Sequence, residues 1–125
     1  AAALKVAPEY PNLLYLQGMA QKLLGQPLGA IPFLQRAQRF GSKASDIPLQ
    51  IAQAYEQAGR FDEAAQAYLS ASQKMPEDPR PRAMGGLMLS QADRCEEARS
   101  LLAPLVPHKS RLDSRLRAAM EHCEL

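Results

Sequence analysis

Tryptophan is absent, and the aromatic residues together make up 6% of the chain. Proteins that hold single-stranded nucleic acid stack bases on such rings as well as neutralising phosphate, so that class has little to work with. The formal net charge is +2, too small by itself to imply nucleic acid or an acidic membrane. Arginine outnumbers lysine, and seven arginines lie between Arg80 and Arg117, but Asp93, Glu96, Glu97 and Asp113 are interspersed among them. The expectation there is a mixed solvated surface and no nucleic-acid partner. No run of about 18 apolar residues occurs, so no direct membrane insertion as a helix is expected. Residues 1–7 lack the basic region and long apolar core of a signal peptide.

Cysteine is scarce too. Cys95 and Cys123 are too few for a disulfide framework. A bridge between them is conceivable in an oxidising compartment; the plainer expectation is two thiols in or near a helix seam. His122 and Cys123 are neighbours, and neighbours on a helix point about 100° apart, so they are poorly placed to share a metal. His108 sits in Pro107-His108-Lys109, a turn, and is expected to be solvated. No Gly-x-Ser-x-Gly elbow surrounds a serine, and no phosphate-binding loop is present. The paired carboxylates Asp62/Glu63 and Glu96/Glu97 open helices, where the helix dipole explains them. No catalysis, cofactor or metal is expected.

What is present is a repeat of 34 residues. Moved back by that period, Gly59 falls on Gly25, Ala64 on Ala30, Tyr68 on Leu34 and Ala71 on Ala37. Moved forward, Ala64 falls on Ala98 and Tyr68 on Leu102. Ala52 aligns with both Gly18 and Gly86. Each unit reads as helix, turn, helix. Glycine ends the first helix, because it accepts the left-handed backbone of a C-terminal cap. Small residues at 18, 52 and 86 let two helix axes approach, and the bulkier column fills the flanks. Asp46 is expected to cap the helix that begins at Ile47, with Pro48 tolerated in its first turn. Pro32 is tolerable in the second helix of the first unit if that helix starts after Gly29. A helix is expected over 96–105, cut short by Pro104 and Pro107, and a last helix over 110–123.

The units are residues 11–44, 45–78 and 79–112. Residues 1–10 fall where a preceding repeat would end, which reads as the tail of a second helix from a longer chain. Residues 113–125 form a C-terminal capping helix. The fold class expected is all-α, a right-handed superhelical solenoid of antiparallel helix hairpins, with three full units plus flanking helices.

The residues Ala52, Tyr55, Gly59, Phe61, Ala64, Tyr68, Ala71 and Pro76 resemble the signature of the tetratricopeptide repeat family. The first unit keeps Leu14, Gly18, Gly25, Ala30, Leu34 and Ala37, and the third keeps Gly86, Leu89, Ala98 and Leu102. Gln21 departs from the pattern where it has tyrosine, Arg82 where it has an apolar residue, and Asp93 where it has glycine. The resemblance implies that the first helices line a concave groove that binds a peptide. Carried over position by position, that groove comprises Asn12, Tyr15, Met19 and Lys22, then Leu49, Gln50, Gln53 and Glu56, with Asp46 beside them, then Arg80, Ala83, Met84 and Leu87. One branch of the family grips chaperone C-termini with a Lys/Asn/Asn/Lys/Arg set. Those positions here are Tyr15, Met19, Gln50, Arg80 and Met84, and Arg80 alone keeps that chemistry.

The function expected is therefore a protein–protein interaction module. It would hold a peptide or helical segment in an apolar, amide-lined groove, as part of a larger scaffold or adaptor protein. The alternative is a structural or self-association segment, joined through truncated repeat ends, of a bacterial envelope protein for secretion or polysaccharide export. Composition has a bacterial style, but it leaves the compartment open.

Overall fold

The computed structural model describes residues 10–42 and 44–125. Among these the order is α1 Pro11–Leu23, α2 Pro27–Arg39, α3 Ile47–Gln57, α4 Phe61–Lys74, α5 Arg80–Gln91 and α6 Cys95–Leu102. Then come 3-10 turns over Ala103–Arg111 and finally α7 Ser114–His122. No strand occurs among the described residues. The expectation for residues 1–9 lies outside them.

Local chemistry explains most boundaries. Proline stands in the first turn of α1, α2, α3 and α5, where its missing N–H leaves no helical bond unmade. Gly25 and Gly59 take φ of 79° and 76°, and the next residue closes each helix by a bond five residues back. Gln26 N donates to Gln21 O at 2.9 Å and Arg60 N to Tyr55 O at 2.9 Å. Asp93 departs from glycine in sequence but not in geometry. Its φ is 59°, and Arg94 N donates to Leu89 O at 2.8 Å in the same closure. Aspartate is among the few residues that visit this backbone region readily.

Three expectations about helix starts and caps need correction. Asp46 does not cap α3 with its side chain; its carboxylate instead accepts from Tyr15 and Gln50. Helix α2 starts at Pro27 and runs through Pro32. Pro32 and Leu28 both lie on the exposed side, so water reaches the Leu28 carbonyl that Pro32 cannot satisfy. The last helix begins at Ser114, four residues later than expected, because 3-10 turns occupy Ala103–Arg111 around Pro104 and Pro107. Asp113 caps α7, accepting from Leu116 N at 2.9 Å. The expected shortening of the helix before it is observed: α6 stops at Leu102.

Hairpins α1–α2, α3–α4 and α5–α6 stack in sequence, with α2 against α3 and α4 against α5, and α7 closes over α5 and α6. The core is a seam in two stretches. Leu14, Ile31, Leu34, Ile47 and Ile51 fill the first. Tyr68, Leu87, Met88, Leu102 and Met120 fill the second. Tyr55 and Ala67 touch both. The small column is filled by the bulky one. A Cβ added to Gly18 would lie 2.8 Å from Leu34 Cγ, and one on Gly86 would lie 2.7 Å from Leu102 Cγ. Helix α5 is packed by α4, α6 and α7, so Gly85 to Ser90 are all buried. Its sequence accordingly lacks a one-sided apolar pattern.

Cys95 and Cys123 are joined in a disulfide, with Cα atoms 5.1 Å apart. This corrects the expectation of two thiols. The bridge ties the start of α6 to the end of α7.

Candidate peptide-binding groove

First helices α1 and α3 lie side by side and meet through polar side chains. Tyr15 Oη donates to Asp46 Oδ2 at 2.8 Å. Gln50 Nε2 donates to the same oxygen at 3.1 Å. Lys22 Nζ donates to Gln50 Oε1 and, at 3.3 Å, to Gln53 Oε1. Burial pushes the Tyr15 phenol above its ordinary pKa, and the Asp46 carboxylate adds to that. Burial pushes Lys22 down, with Asp46 acting against it. The effect is to hold four side chains of the expected groove in fixed orientations before any ligand arrives. Preorganised groups lose less rotamer freedom on binding.

Further along, Glu56 on α3 accepts from Tyr68 Oη at 2.8 Å and from Arg115 on α7 at 2.7 Å. Burial raises the Tyr68 phenol strongly, and the hydrogen bond to Glu56 raises it further. Gln53, Glu56, Gln57, Tyr68, Met84 and Arg115 together line a hollow of about 270 Å³. Tyr68→Phe should remove one hydrogen bond to a charged group and leave Glu56 with Arg115 alone. The expected loss is about 1–2 kcal/mol, readable as a lower urea midpoint with unchanged slope.

The other expected residues divide clearly. Asn12, Gln53 and Arg80 are exposed, while Tyr15, Met19, Lys22, Leu49, Gln50, Glu56, Ala83 and Met84 are half-buried. Leu49 and Met84 also pack against the core. Leu87 is corrected: it is 1% exposed and belongs to the seam, where no ligand can touch it without repacking. Arg80 turns to Asp78, donating from Nη2 to Oδ2 at 2.7 Å. The Arg80 side chain and backbone N–H hold the Asp78 carboxyl at a pKa of about 2. The one cation that keeps the chaperone-clamp chemistry is thus already paired.

Two features escaped sequence reasoning. Arg115 reaches the groove from the capping helix. Its signal was present, because Arg115 stands in the repeat frame of Ile47 and Pro81, both buried, and a charge there cannot serve the same packing role. The second feature is a roomier cleft, about 540 Å³, on the side of the second helices. It runs between α2 and α4 over Ile51 and Tyr55, with Gln35, Gln38, Gln66 and Gln73 on its walls.

Among the described residues no three His, Cys, Asp or Glu side chains converge as a metal site. His122 Nε2 lies 2.8 Å from Asp93 Oδ1. No helix among the described residues is long and apolar enough to cross a membrane.

Comparison with known proteins agrees with the repeat fold. A family model described as a tetratricopeptide repeat matches residues 21–88, just over half of the chain. No curated protein matches it significantly. The match covers the hairpin stack from late α1 to α5, and repeats of this kind generally mediate protein–protein interaction. With the glycine turns, the small-to-bulky columns and the stacked hairpins in one frame, the chain belongs to the tetratricopeptide repeat family.

Proposed function

We propose that this chain binds a short peptide or amphipathic helical segment across its first helices, as the recognition module of a scaffold or adaptor protein. The observation that carries the reading is the polar network linking α1 to α3. It fixes Tyr15, Lys22, Gln50 and Gln53 in place, yet Gln53 stays exposed and Tyr15 half-exposed. Amide side chains beside Met84 suit a ligand with backbone groups to pair and apolar side chains to seat. Methionine adapts to varied shapes. Affinity for such a short segment is expected on the order of micromolar, about −8 kcal/mol.

The test is selection from a phage-displayed peptide library, followed by titration of the synthetic winner. Joint replacement of Tyr15, Gln53 and Met84 by alanine should weaken binding at least a hundredfold while leaving far-ultraviolet helicity intact. Retained affinity in the triple variant contradicts the assignment.

A further inference from the structure

In the hollow where α3, α4, α5 and α7 converge, the acceptors are engaged and donors remain. Glu56 Oε1 accepts from Tyr68 Oη at 2.8 Å, and Glu56 Oε2 accepts from Arg115 Nη2 at 2.7 Å. Gln53 Oε1 accepts from Lys22 Nζ at 3.3 Å. Arg115 thus uses one of the five N–H groups of its guanidinium. Among the described residues the rest of them, and the amide N–H groups of Gln53, have no partner. Solvent reaches the cation of the ion pair more than the anion: the Arg115 side chain is 54% exposed and that of Glu56 20%. A half-exposed pair of this kind adds little to folding, and the positions in frame with Arg115, Ile47 and Pro81, are buried. Neither stability nor packing therefore accounts for an arginine here.

We propose that Arg115 and the Gln53 amide bind a side-chain carboxylate, so that the segment held across the first helices carries a glutamate or aspartate at this point. The inference rests on the groove reading above and adds the chemistry of its ligand. Three observations favour an anion. First, an incoming cation would meet a Glu56 whose two oxygens are both engaged, and would have to displace Arg115. Second, this fold already sets one arginine between two carboxylates. Arg94 donates to Asp62 Oδ1 at 2.9 Å and to the two oxygens of Glu97 at 2.9 and 2.8 Å, because the planar fork presents donors along more than one edge. Third, the hollow has a volume of about 270 Å³, below the ~300–1,000 Å³ of sites that take a whole drug-sized ligand. It suits one side chain, with Met84 on its wall to cover the methylene stem. Bonds from a guanidinium to a carboxylate are charge-assisted and stronger than bonds to a neutral amide. The hollow lies at α3, the middle one of the three first helices, so a segment spanning α1 to α5 passes over it. The carboxylate then comes from within the segment and not from its end. Arg115 stands outside the five positions of the chaperone-tail clamp, which makes this a separate site.

Selection of phage-displayed peptides on the 125-residue chain tests it. The winners should share an acidic residue at one position, and that shared acid should disappear when selection is repeated on Arg115→Gln. The leading winner is then synthesised with both ends blocked, so that its side chains carry its only carboxylates, and titrated beside an analogue in which the shared acid is replaced by its amide. The parent protein should bind the acidic peptide about tenfold more tightly than the amide analogue, and the preference should shrink at high salt. Arg115→Gln should bind both peptides equally, at the weaker affinity, with unchanged far-ultraviolet helicity. The peptide analogue leaves the protein untouched, so its result does not depend on how Arg115→Gln folds. Winners without a shared acid overturn the inference, as does a preference for the acid that persists in Arg115→Gln; in both cases the groove itself stands. A selection that yields no binder, or winners that survive joint alanine replacement of Tyr15, Gln53 and Met84, overturn the groove reading and the carboxylate site with it.

Discussion

Replacing Cys95 by alanine, or reducing the bridge, should lower the unfolding free energy by roughly 3–4 kcal/mol. The disulfide spans 28 residues of sequence, and closing a loop of that length removes about this much freedom from the unfolded chain. The element it secures is short. Helix α7 has nine residues, too short to stand alone in water. It is held by Ala119, Met120 and Cys123 in the seam, by Ser90 Oγ donating to Ala119 O at 3.0 Å, and by Arg99 Nε donating to Cys123 O at 2.8 Å. In urea the midpoint should fall by about 1–4 M, given slopes near 1–3 kcal/mol per molar for small domains. A midpoint unchanged by reductant would show that the bridge adds nothing to the closed end.

The second large effect is expected at Gly86. A Cβ there would lie 2.7 Å from both Cγ and Cδ2 of Leu102 and 3.3 Å from Leu101 Cβ. Leu102 is fully buried, so its branch carbon cannot swing into solvent. Alanine gains about 1 kcal/mol of helix propensity over glycine, which offsets part of the clash. Valine adds two further methyl groups and less propensity. Gly86→Val should cost roughly 3 kcal/mol through overpacking, and α5 and α6 should move apart. Gly59→Ala is the useful contrast. Nothing lies within 4 Å of its added Cβ, so any cost there comes from φ of 76°. Thermal unfolding of both variants separates the two causes. Equal stability of Gly86→Val and the parent would mean that the helices do not approach as closely as described.

The frame was readable from residue types whose roles are local. Gly25 and Gly59 announce left-handed turns, and Ala30, Ala64 and Ala98 announce a close seam, because each depends on its own hairpin. Asp93 was the instructive exception: the residue changed while the backbone shape did not. Positions that depend on a later element were not readable. Leu87 stands in the frame of Gln53, which is exposed in the middle unit. At the third unit α7 folds onto α5, and Met120 joins Leu87 in the seam. The same fold-back brings Cys123 to Cys95, which spacing alone did not require. Asp46 was misread for a related reason: an aspartate before a helix is a cap by local rules, but Tyr15 from the neighbouring unit competes for its carboxylate. Around the expected groove, Tyr15, Lys22, Gln50 and Gln53 are linked by hydrogen bonds, whereas Arg115 reaches Glu56 from α7, a contact that depends on the fold-back.

The central claim is that a ligand lies across the first helices. Hydrogen–deuterium exchange of the chain with and without its selected peptide tests this most directly. Slowed exchange should concentrate in α1, α3 and the first turns of α5, with protection around Tyr15, Gln50 and Gln53. Protection confined instead to α2 and α4, at the glutamine-walled cleft of Gln35, Gln38, Gln66 and Gln73, would contradict the account.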